Sequence, residues 1–211
     1  MELTKLSCES FLAELSGKAA APGGGGASAL VGAAGVALGN MVGNLTTGKK
    51  KYAAVEADIQ ALNARAEALR KRLEELVQAD AEAFTPLAAA YGLPKEAPEQ
   101  QAHKAEVLEA ALNGACAVPL EIMSACCEGI QLAGEYAAKG SVLAVSDAGC
   151  AALFCKAALQ AAGLNVSINT RLMADKAHAA ELNAQADRML AQFVPMADAV
   201  YEKLSEQLRG N

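Results

Sequence analysis

Tryptophan is absent from the sequence, and aromatic residues make up only 4% of its 211 positions. Histidine occurs only at His103 and His178, so we expect no histidine-rich metal centre. The six cysteines form no Cys-x-x-Cys pair and the N-terminus shows no signal peptide, which together predict reduced thiols in a cytoplasmic protein. The formal net charge of −6 gives no indication of nucleic-acid binding.

Apolar residues are abundant, since they make up 53% of the chain, and most recur every three or four positions. This spacing is typical of amphipathic helices. Helices are predicted over 7–16, 27–46, 53–91, 102–138, 146–163 and 173–208, with connections at 19–26, 142–145 and 165–170. The sequence therefore predicts an all-α, antiparallel multi-helix bundle with long helices, formed by one domain over residues 1–211.

The predicted helix over 27–46 is unusual because it contains four glycines, at Gly32, Gly35, Gly39 and Gly43. A glycine inside a helix costs about 1 kcal/mol relative to alanine. Three of them recur every fourth residue, so they share one face and allow another backbone to approach closely. The segment is long enough to cross a membrane, but its asparagines and the amphipathic remainder of the chain favour a buried helix of a soluble protein.

A run of glycines, Pro22-Gly23-Gly24-Gly25-Gly26, precedes this helix and is followed by Ser28. Free N–H groups and the positive end of the helix dipole suit such a segment to a carboxylate, a phosphate or a ring carbonyl. A flexible turn is the alternative interpretation. The Gly-x-x-x-x-Gly-Lys-Ser/Thr pattern is missing and no strand precedes the run, so a nucleotide-binding loop of the common kinds is not indicated.

Polar residues collect at the other end of the same helix. Asn40 and Asn44 lie one turn apart on one side, and Lys49, Lys50 and Lys51 follow them. Buried amides need hydrogen-bond partners, which another helix or a ligand can supply equally well. The lysines are typical of a solvated helix end, and their alternative role is to bind a negatively charged ligand.

Two carboxylates are candidates for chemistry. Asp80 falls on the apolar stripe of the long helix over 53–91, where leucine or isoleucine would be expected. Burying a carboxylate costs several kcal/mol unless it is paired or hydrogen-bonded, so a functional role is favoured over a structural one. Asp147 follows Ser146 at the start of a predicted helix, where capping is the simple interpretation and acid–base chemistry in a cleft is the alternative.

Several short motifs are weak one by one but specific as an ordered set. They are Ala21-Pro22-Gly23-Gly24-Gly25, Gly39-x-Met41-Val42-Gly43-x-x-Thr46-x-Gly48, Asp80-Ala81-Glu82-Ala83-Phe84, Leu93-Pro94-Lys95, Val118-Pro119-Leu120, Ser146-Asp147 and Asn165-Val166-x-Ile168-Asn169. Together they resemble the cyclodeaminase/cyclohydrolase family, which includes the cyclodeaminase domain of formiminotransferase-cyclodeaminase and the stand-alone methenyltetrahydrofolate cyclohydrolases of bacteria. The length of the chain is similar to that of the stand-alone enzymes.

The resemblance implies an all-helical homodimer that acts on a folate, mono- or polyglutamylated, without a metal or redox cofactor. It implies a cyclohydrolase, which adds water to 5,10-methenyltetrahydrofolate and gives 10-formyltetrahydrofolate. One alternative is a cyclodeaminase, which converts 5-formiminotetrahydrofolate to the methenyl compound and ammonia. Another is a helical dimer that binds folate without catalysis. We expect neither nucleic acid nor a membrane among the partners.

The residue roles that follow from the resemblance are hypotheses. Asp147 is expected to activate water or stabilise the iminium carbon, with Lys50 as its cationic partner. Asp80 is expected to hold a pterin nitrogen or to orient Lys50. The substrate-binding residues expected around the same cleft are Gly23, Gly24, Gly25, Gly26, Ser28, Asn40, Asn44, Lys49, Lys51 and Ser146. Of these, Lys49 and Lys51 are expected to attract the glutamate tail.

Overall fold

The computed structural model describes residues 2–19 and 21–210, and α-helices account for most of them. The helices are α1 (Cys8–Leu15), α2 (Gly24–Asn44), α3 (Glu56–Tyr91), α4 (Pro98–Lys139), α5 (Val145–Leu172) and α6 (Lys176–Arg209). Short 3-10 helices cover Leu3–Lys5, Lys50–Val55 and Val142–Ala144. Within the described ranges no residue is in a β-strand, which confirms the all-α prediction.

From α2 to α6, helices that follow one another in the chain run in opposite directions. Gly32 of α2 lies against Leu73 of α3, whereas the earlier Gly26 lies against the later Val77. The same reversal relates α3 to α4, α4 to α5 and α5 to α6. The predicted antiparallel bundle of long helices is therefore confirmed.

Helix α2 packs closely against its neighbours because glycines replace larger residues along its buried face. A Cβ added to Gly35 would lie 3.1 Å from the carbonyl oxygen of Ala151 and 2.8 Å from Sγ of Cys155. A Cβ added to Gly39 would lie 3.0 Å from the ring of Tyr136. The prediction that the glycine face admits another backbone is thus confirmed for the contact between α2 and α5.

Three helical segments are long and apolar enough to span a membrane by length and composition alone: Gly24–Asn44, Pro98–Lys139 and Val142–Leu172. In the most apolar window of each, 56%, 56% and 50% of the residues are buried inside the bundle. Packing against other helices therefore accounts for about half of these apolar positions. The expectation that the protein does not enter a membrane stays a prediction.

The prediction of a link over 165–170 is wrong, because α5 continues through this segment to Leu172. The polar side chains that indicated a link form hydrogen bonds with carbonyl groups one turn earlier on the same helix. Asn165 Nδ2 donates to the carbonyl of Ala161, and Ser167 Oγ donates to that of Gly163. Such bonds let polar residues lie within a helix instead of ending it.

The six cysteines are free thiols, and four of them lie in the core: Cys116, Cys126, Cys127 and Cys155. Burial raises the pKa of both Cys127 and Cys155 to about 12, so these thiols stay protonated at neutral pH. Cys150, by contrast, is exposed, between buried positions of α5.

Candidate functional site

A cavity of about 230 Å³ lies beside the N-terminal end of α2. Four helices contribute to its wall, together with the segment that leads into α2. The lining residues are Ala21, Gly23, Gly24, Gly25, Asp80, Ala81, Ala83, Phe84, Ala115, Pro119, Asn165, Ile168 and Asn169. The structure thus brings most of the glycine run together with Asp80, two features that lie far apart in the sequence.

Gly24, Gly25 and Gly26 of the glycine run form the first turn of α2, whereas the sequence predicted a loop through residue 26. Gly23 is the N-cap, and its carbonyl accepts a hydrogen bond from the N–H of Ala27 at 3.0 Å. A Cβ added to Gly25 would lie 2.1 Å from Oδ1 of Asp80. Glycine is therefore required here because the carboxylate of α3 occupies the space where a side chain would lie.

Asp80 is half-buried and contacts the start of α2. The N–H of Gly26 donates a hydrogen bond to its Oδ2 at 2.8 Å. Burial raises the pKa of Asp80 above its usual range, and this hydrogen bond opposes the rise. The positive end of the helix dipole also favours a carboxylate at this position. Asp80 is therefore a partly desolvated acceptor that faces a cavity.

Asn165 and Asn169 also line the cavity, from the continuous part of α5. Both were predicted to lie in a link between helices and were therefore not predicted as site residues. On a helix their spacing of four residues puts the two amides on the same face, and this spacing was the signal that could have identified them. Phe84 and Pro119 add apolar surface to the wall.

Two predicted ligand residues form hydrogen bonds inside the protein. Ser28 is buried, and its hydroxyl donates to the carbonyl of Gly24 at 2.6 Å. The N–H of Gly26 is bonded to Asp80. Neither residue lines the cavity, so both support its wall from behind. The structure therefore gives no support to their predicted contact with substrate.

The asparagines at the other end of α2 take part in a chain of hydrogen bonds between helices. Asn63 Nδ2 donates to Oδ1 of Asn44 at 3.0 Å, and Tyr136 Oη donates to Oδ1 of Asn63 at 2.9 Å. Burial raises the pKa of Tyr136 to about 12, while a hydrogen bond with Asn40 opposes the rise. The structure therefore gives these amides the interhelical partners that the sequence left open.

The three lysines lie on the surface just beyond this end of α2. Gly48 precedes them with a φ of 74°, in the left-handed region that favours glycine, and its N–H donates to the carboxylate of Glu56. Lys50 and Lys51 begin the 3-10 helix Lys50–Val55, and Lys49 is its N-cap.

The start of α5 lies at the same end of the bundle as the lysines. The N–H of Val142 donates to Oη of Tyr52 at 3.1 Å and so joins the two segments. Asp147 is half-buried in the first turn of α5. Ser146 is exposed and lines a separate depression of about 280 Å³ between α5 and α6, together with Tyr201 and Leu204.

The predicted site residues therefore form two groups at opposite ends of α2. A helix rises about 1.5 Å per residue, so Gly24 and Asn44 are separated by about 30 Å. The prediction of one cleft that holds both Asp80 and Lys50 is wrong for a single protomer. In the described part of the chain, no cluster of His, Cys, Asp and Glu side chains has an arrangement that could hold a metal ion.

Residues 7–188 match the model of the family described as formiminotransferase-cyclodeaminase. The chain belongs to this family. The resemblance that the ordered motifs indicated is therefore confirmed.

Members of the family differ in how much of their length matches this chain. It is 42% identical to a methenyltetrahydrofolate cyclohydrolase of Methylorubrum extorquens over 200 residues, which cover 95% of this chain and 96% of that protein. It is 34% identical to a formimidoyltransferase-cyclodeaminase of Mus musculus over 173 residues, which cover 82% of this chain but 32% of that protein. The chain thus spans about a third of the mouse enzyme.

The fold is also similar to a solved structure. The crystal structure of a formiminotetrahydrofolate cyclodeaminase from Thermotoga maritima matches with a TM-score of 0.81 and 26% sequence identity. The match covers 97% of this chain and 100% of that one. The helical architecture is therefore that of the family over nearly the whole chain.

Proposed function

We propose that this protein is a methenyltetrahydrofolate cyclohydrolase in one-carbon metabolism. The observation that carries the proposal is the 42% identity to a protein of that name over nearly the full length of both chains. The match to mammalian cyclodeaminases, by contrast, is confined to about a third of their length. A cavity that holds a partly desolvated carboxylate beside a helix N-terminus is compatible with a folate substrate.

The reaction sets the chemistry that the site must supply. Water adds to the cationic methenyl carbon between N5 and N10, loses a proton, and the tetrahedral adduct opens with protonation of N5. A carboxylate that takes the proton and a cation that returns one to nitrogen therefore suffice in principle. We assign these steps to Asp147 and Lys50, and we assign the binding of the pterin ring to Asp80 and the glycine run.

The uncovered face of α2 supports a homodimer. No charged residue occurs between Gly24 and Asn44. Yet Val31, Met41 and Leu45 on this face are 40%, 39% and 45% exposed. An uncharged stripe that runs the length of a helix is typical of a surface that another protein chain covers.

A second copy of this chain suits that stripe better than an unrelated partner. In a two-fold symmetric dimer the same surface is used twice, so two α2 helices that cross antiparallel place opposite ends side by side. The Asp80 end of one protomer would then lie beside the Asp147 and Lys50 end of the other. The distance of about 30 Å between the two ends of one α2 would then not prevent the two groups of residues from forming one site.

We also propose roles for the lysines, a localisation, and the absence of cofactors and other partners. Lys49 and Lys51 would attract the glutamate tail, because three neighbouring ammonium groups form a positive patch in an acidic sequence. We propose a cytoplasmic enzyme that needs no metal or redox cofactor and binds neither nucleic acid nor a membrane.

The test is to follow the absorbance of 5,10-methenyltetrahydrofolate with and without the protein, in a buffer where the spontaneous decay is slow. We expect the protein to accelerate the decay and 10-formyltetrahydrofolate to accumulate. Unchanged decay at micromolar protein concentration would overturn the proposal.

Cyclodeamination is the second candidate, because the structural match is to a protein of that activity. Its test is the release of ammonia and the appearance of the methenyl compound from 5-formiminotetrahydrofolate. Activity here without accelerated methenyl decay would favour the cyclodeaminase. Saturable folate binding without either activity would favour a folate-binding protein.

A further inference from the structure

We propose that the cavity at the start of α2 recognises the hydrogen-bond donors of the pterin ring, and that Asn165 and Asn169 determine this specificity. The proposal rests on the proposed folate substrate and deepens it. It assigns an orientation, with the ring in this cavity and the glutamate tail outside it, and it assigns a role to two residues that the reaction itself does not require.

The orientation of the Asn169 amide is fixed by a proline in the neighbouring helix. Pro119 lies inside α4 and has no N–H, so the carbonyl of Ala115 lacks its usual helical donor. Asn169 Nδ2 donates to that carbonyl at 3.0 Å. Because only the amide nitrogen can bond to a carbonyl, Oδ1 of Asn169 must be turned away from α4 and can accept a hydrogen bond.

The Asn165 amide is oriented in a similar way by its own helix. Its Nδ2 donates to the carbonyl of Ala161 at 2.9 Å, and among the described residues Oδ1 receives no hydrogen bond, so it can act as an acceptor. A Cβ added to Gly24 would lie 3.2 Å from this oxygen. The glycine at the start of α2 therefore leaves room in front of the acceptor.

The cavity therefore presents three acceptor groups, on Asp80, Asn165 and Asn169. No lysine, arginine or histidine occurs among the described residues that line it. A ligand carboxylate or phosphate would face these oxygens without a cation, in spite of the helix N-terminus. The lining thus selects a group that brings several N–H donors, and it disfavours the glutamate tail.

The pyrimidine edge of a tetrahydropterin has this chemistry, since its 2-amino group and its N3–H are adjacent donors. A carboxylate can accept from both at once, and a neighbouring amide oxygen can accept the second amino hydrogen. The volume of about 230 Å³ suits one bicyclic ring but not a whole folate. Phe84 and Pro119 offer apolar contacts to its faces.

The first test measures the dissociation constants of two stable probes, 5-formyltetrahydrofolate and its 2-desamino analogue, for the full-length protein. We expect the wild type to bind the analogue at least tenfold more weakly. In Asn165→Leu we expect the parent to lose about tenfold in affinity and the analogue to lose little, so that the discrimination falls. Asn113→Leu is the matched control, because Asn113 forms the same bond to a carbonyl one turn earlier but lies exposed outside the cavity.

The second test separates recognition from stability at Asn169. Asn169→Leu leaves the carbonyl of Ala115 without a donor, so it should destabilise the protein. Adding Pro119→Ala restores the helical N–H to that carbonyl and should recover the thermal midpoint. The double variant is still expected to discriminate poorly between the two probes, because Oδ1 of residue 169 is missing.

The outcomes separate the inference from the proposed function. Reduced discrimination in Asn165→Leu and in the double variant, with Asn113→Leu unchanged, supports the inference. If the wild-type enzyme accelerates methenyl decay but Asn165→Leu and the double variant discriminate between the two probes as well as the wild type does, the inference alone is overturned. Weaker binding of p-aminobenzoylglutamate in Asn165→Leu overturns it by placing the tail in the cavity. A wild type that neither binds 5-formyltetrahydrofolate nor turns over the methenyl compound overturns both.

Discussion

The two ends of α2 have similar packing but differ in how their polar groups are satisfied. At both ends a glycine makes room for an oxygen of α3, since added Cβ atoms on Gly25 and Gly43 would lie 2.1 Å and 1.9 Å from Asp80 and Asn63. The oxygen of Asn63 accepts a hydrogen bond from buried Tyr136. The carboxylate of Asp80 accepts one from Gly26 and otherwise lines the cavity.

This difference indicates which end recognises a ligand. Buried polar groups are almost always hydrogen-bonded in proteins, so a half-buried carboxylate beside a cavity is matched to a partner that binds there. The other end has its amides bonded to each other and carries its charges on the surface. The proposed ligand-binding end and the charged end thus lie at opposite ends of one uncharged helix, and each of the predictions below changes one end only.

The largest effect is expected from Gly25→Ala. The added methyl group cannot coexist with the Asp80 carboxylate in its present position, so we expect a loss of about 2–3 kcal/mol in the free energy of unfolding, together with the loss of activity. Chemical denaturation followed by circular dichroism measures the first quantity.

Gly114→Ala is the matched control for this substitution. Gly114 lies on the exposed side of α4 with nothing within 4 Å of an added Cβ. Alanine there should increase stability by about 0.5–1 kcal/mol and leave turnover unchanged. If Gly25→Ala also increases stability and leaves turnover unchanged, the tight contact with Asp80 does not exist.

The next effect is a loss of activity without a loss of stability in Asp80→Asn. The amide keeps an acceptor for the N–H of Gly26 but cannot form charge-assisted hydrogen bonds with a ligand. We expect kcat/KM to fall by about 100-fold or more. A fall in kcat/KM of less than about fivefold, with saturable kinetics, would show that Asp80 is not part of the site.

The stability of Asp80→Asn should depend on pH in a defined direction. In the folded state, burial raises the pKa of Asp80 above its ordinary value of 3.8. The native protein therefore holds this proton more tightly than the unfolded chain does. The contribution of Asp80 to stability is therefore present below about pH 4 and is lost as the pH rises through the folded pKa. The thermal midpoint of the variant minus that of the wild type should increase between pH 4 and pH 7, and a decrease would contradict the sign of the shift.

A smaller effect is expected when the stripe on α2 is charged. Met41→Glu would place a carboxylate in the proposed dimer contact, and we expect monomers in sedimentation at micromolar concentration and about tenfold less activity. Leu164→Glu is the control, since Leu164 is 72% exposed on α5 and lines a surface depression with residues of α6. Equal dissociation by both variants would place the contact elsewhere.

The smallest effect is expected from removing the charges of Lys49 and Lys51 by substitution with glutamine. These side chains are exposed, so each contributes little to stability. We expect KM to rise about tenfold for a polyglutamylated folate and less for the monoglutamate, with kcat unchanged. An equal change for both substrates would argue against a contact with the tail.

Much of the fold followed from the sequence because helical periodicity is a local property. The long helix with Asp80 on its apolar stripe and the close packing of Gly35 were both predicted correctly for this reason. The start of α2 was misplaced because a run of glycines is typical of a loop. The reason for glycine here is the Asp80 carboxylate, which lies in the space of a side chain but is far away in the sequence. The end of α5 was misplaced because Asn165 and Ser167 resemble a break until their bonds within the helix are seen.

The site was only partly predictable, because the sequence gives residue types but not distances. It identified Asp80 and the glycine run, which the structure brings into contact. It could not show that Lys50 and Asp147 lie toward the opposite end of α2 from Asp80 within one chain, since this depends on the direction and length of α2. It also could not show how the amide of Asn169 is oriented, since this depends on a carbonyl of another helix that Pro119 leaves without a donor.

The central claim, that one folate site draws on both ends of α2 from two protomers, is tested most directly by complementation. Asp80→Asn and Asp147→Asn are each expected to be inactive as homodimers. When the two are unfolded, mixed in equal amounts and refolded, half of the dimers should be mixed, and each of these holds one intact site. We expect recovery of about a quarter of the wild-type activity. Mixed dimers without activity, from two variants that are separately folded and inactive, would contradict it.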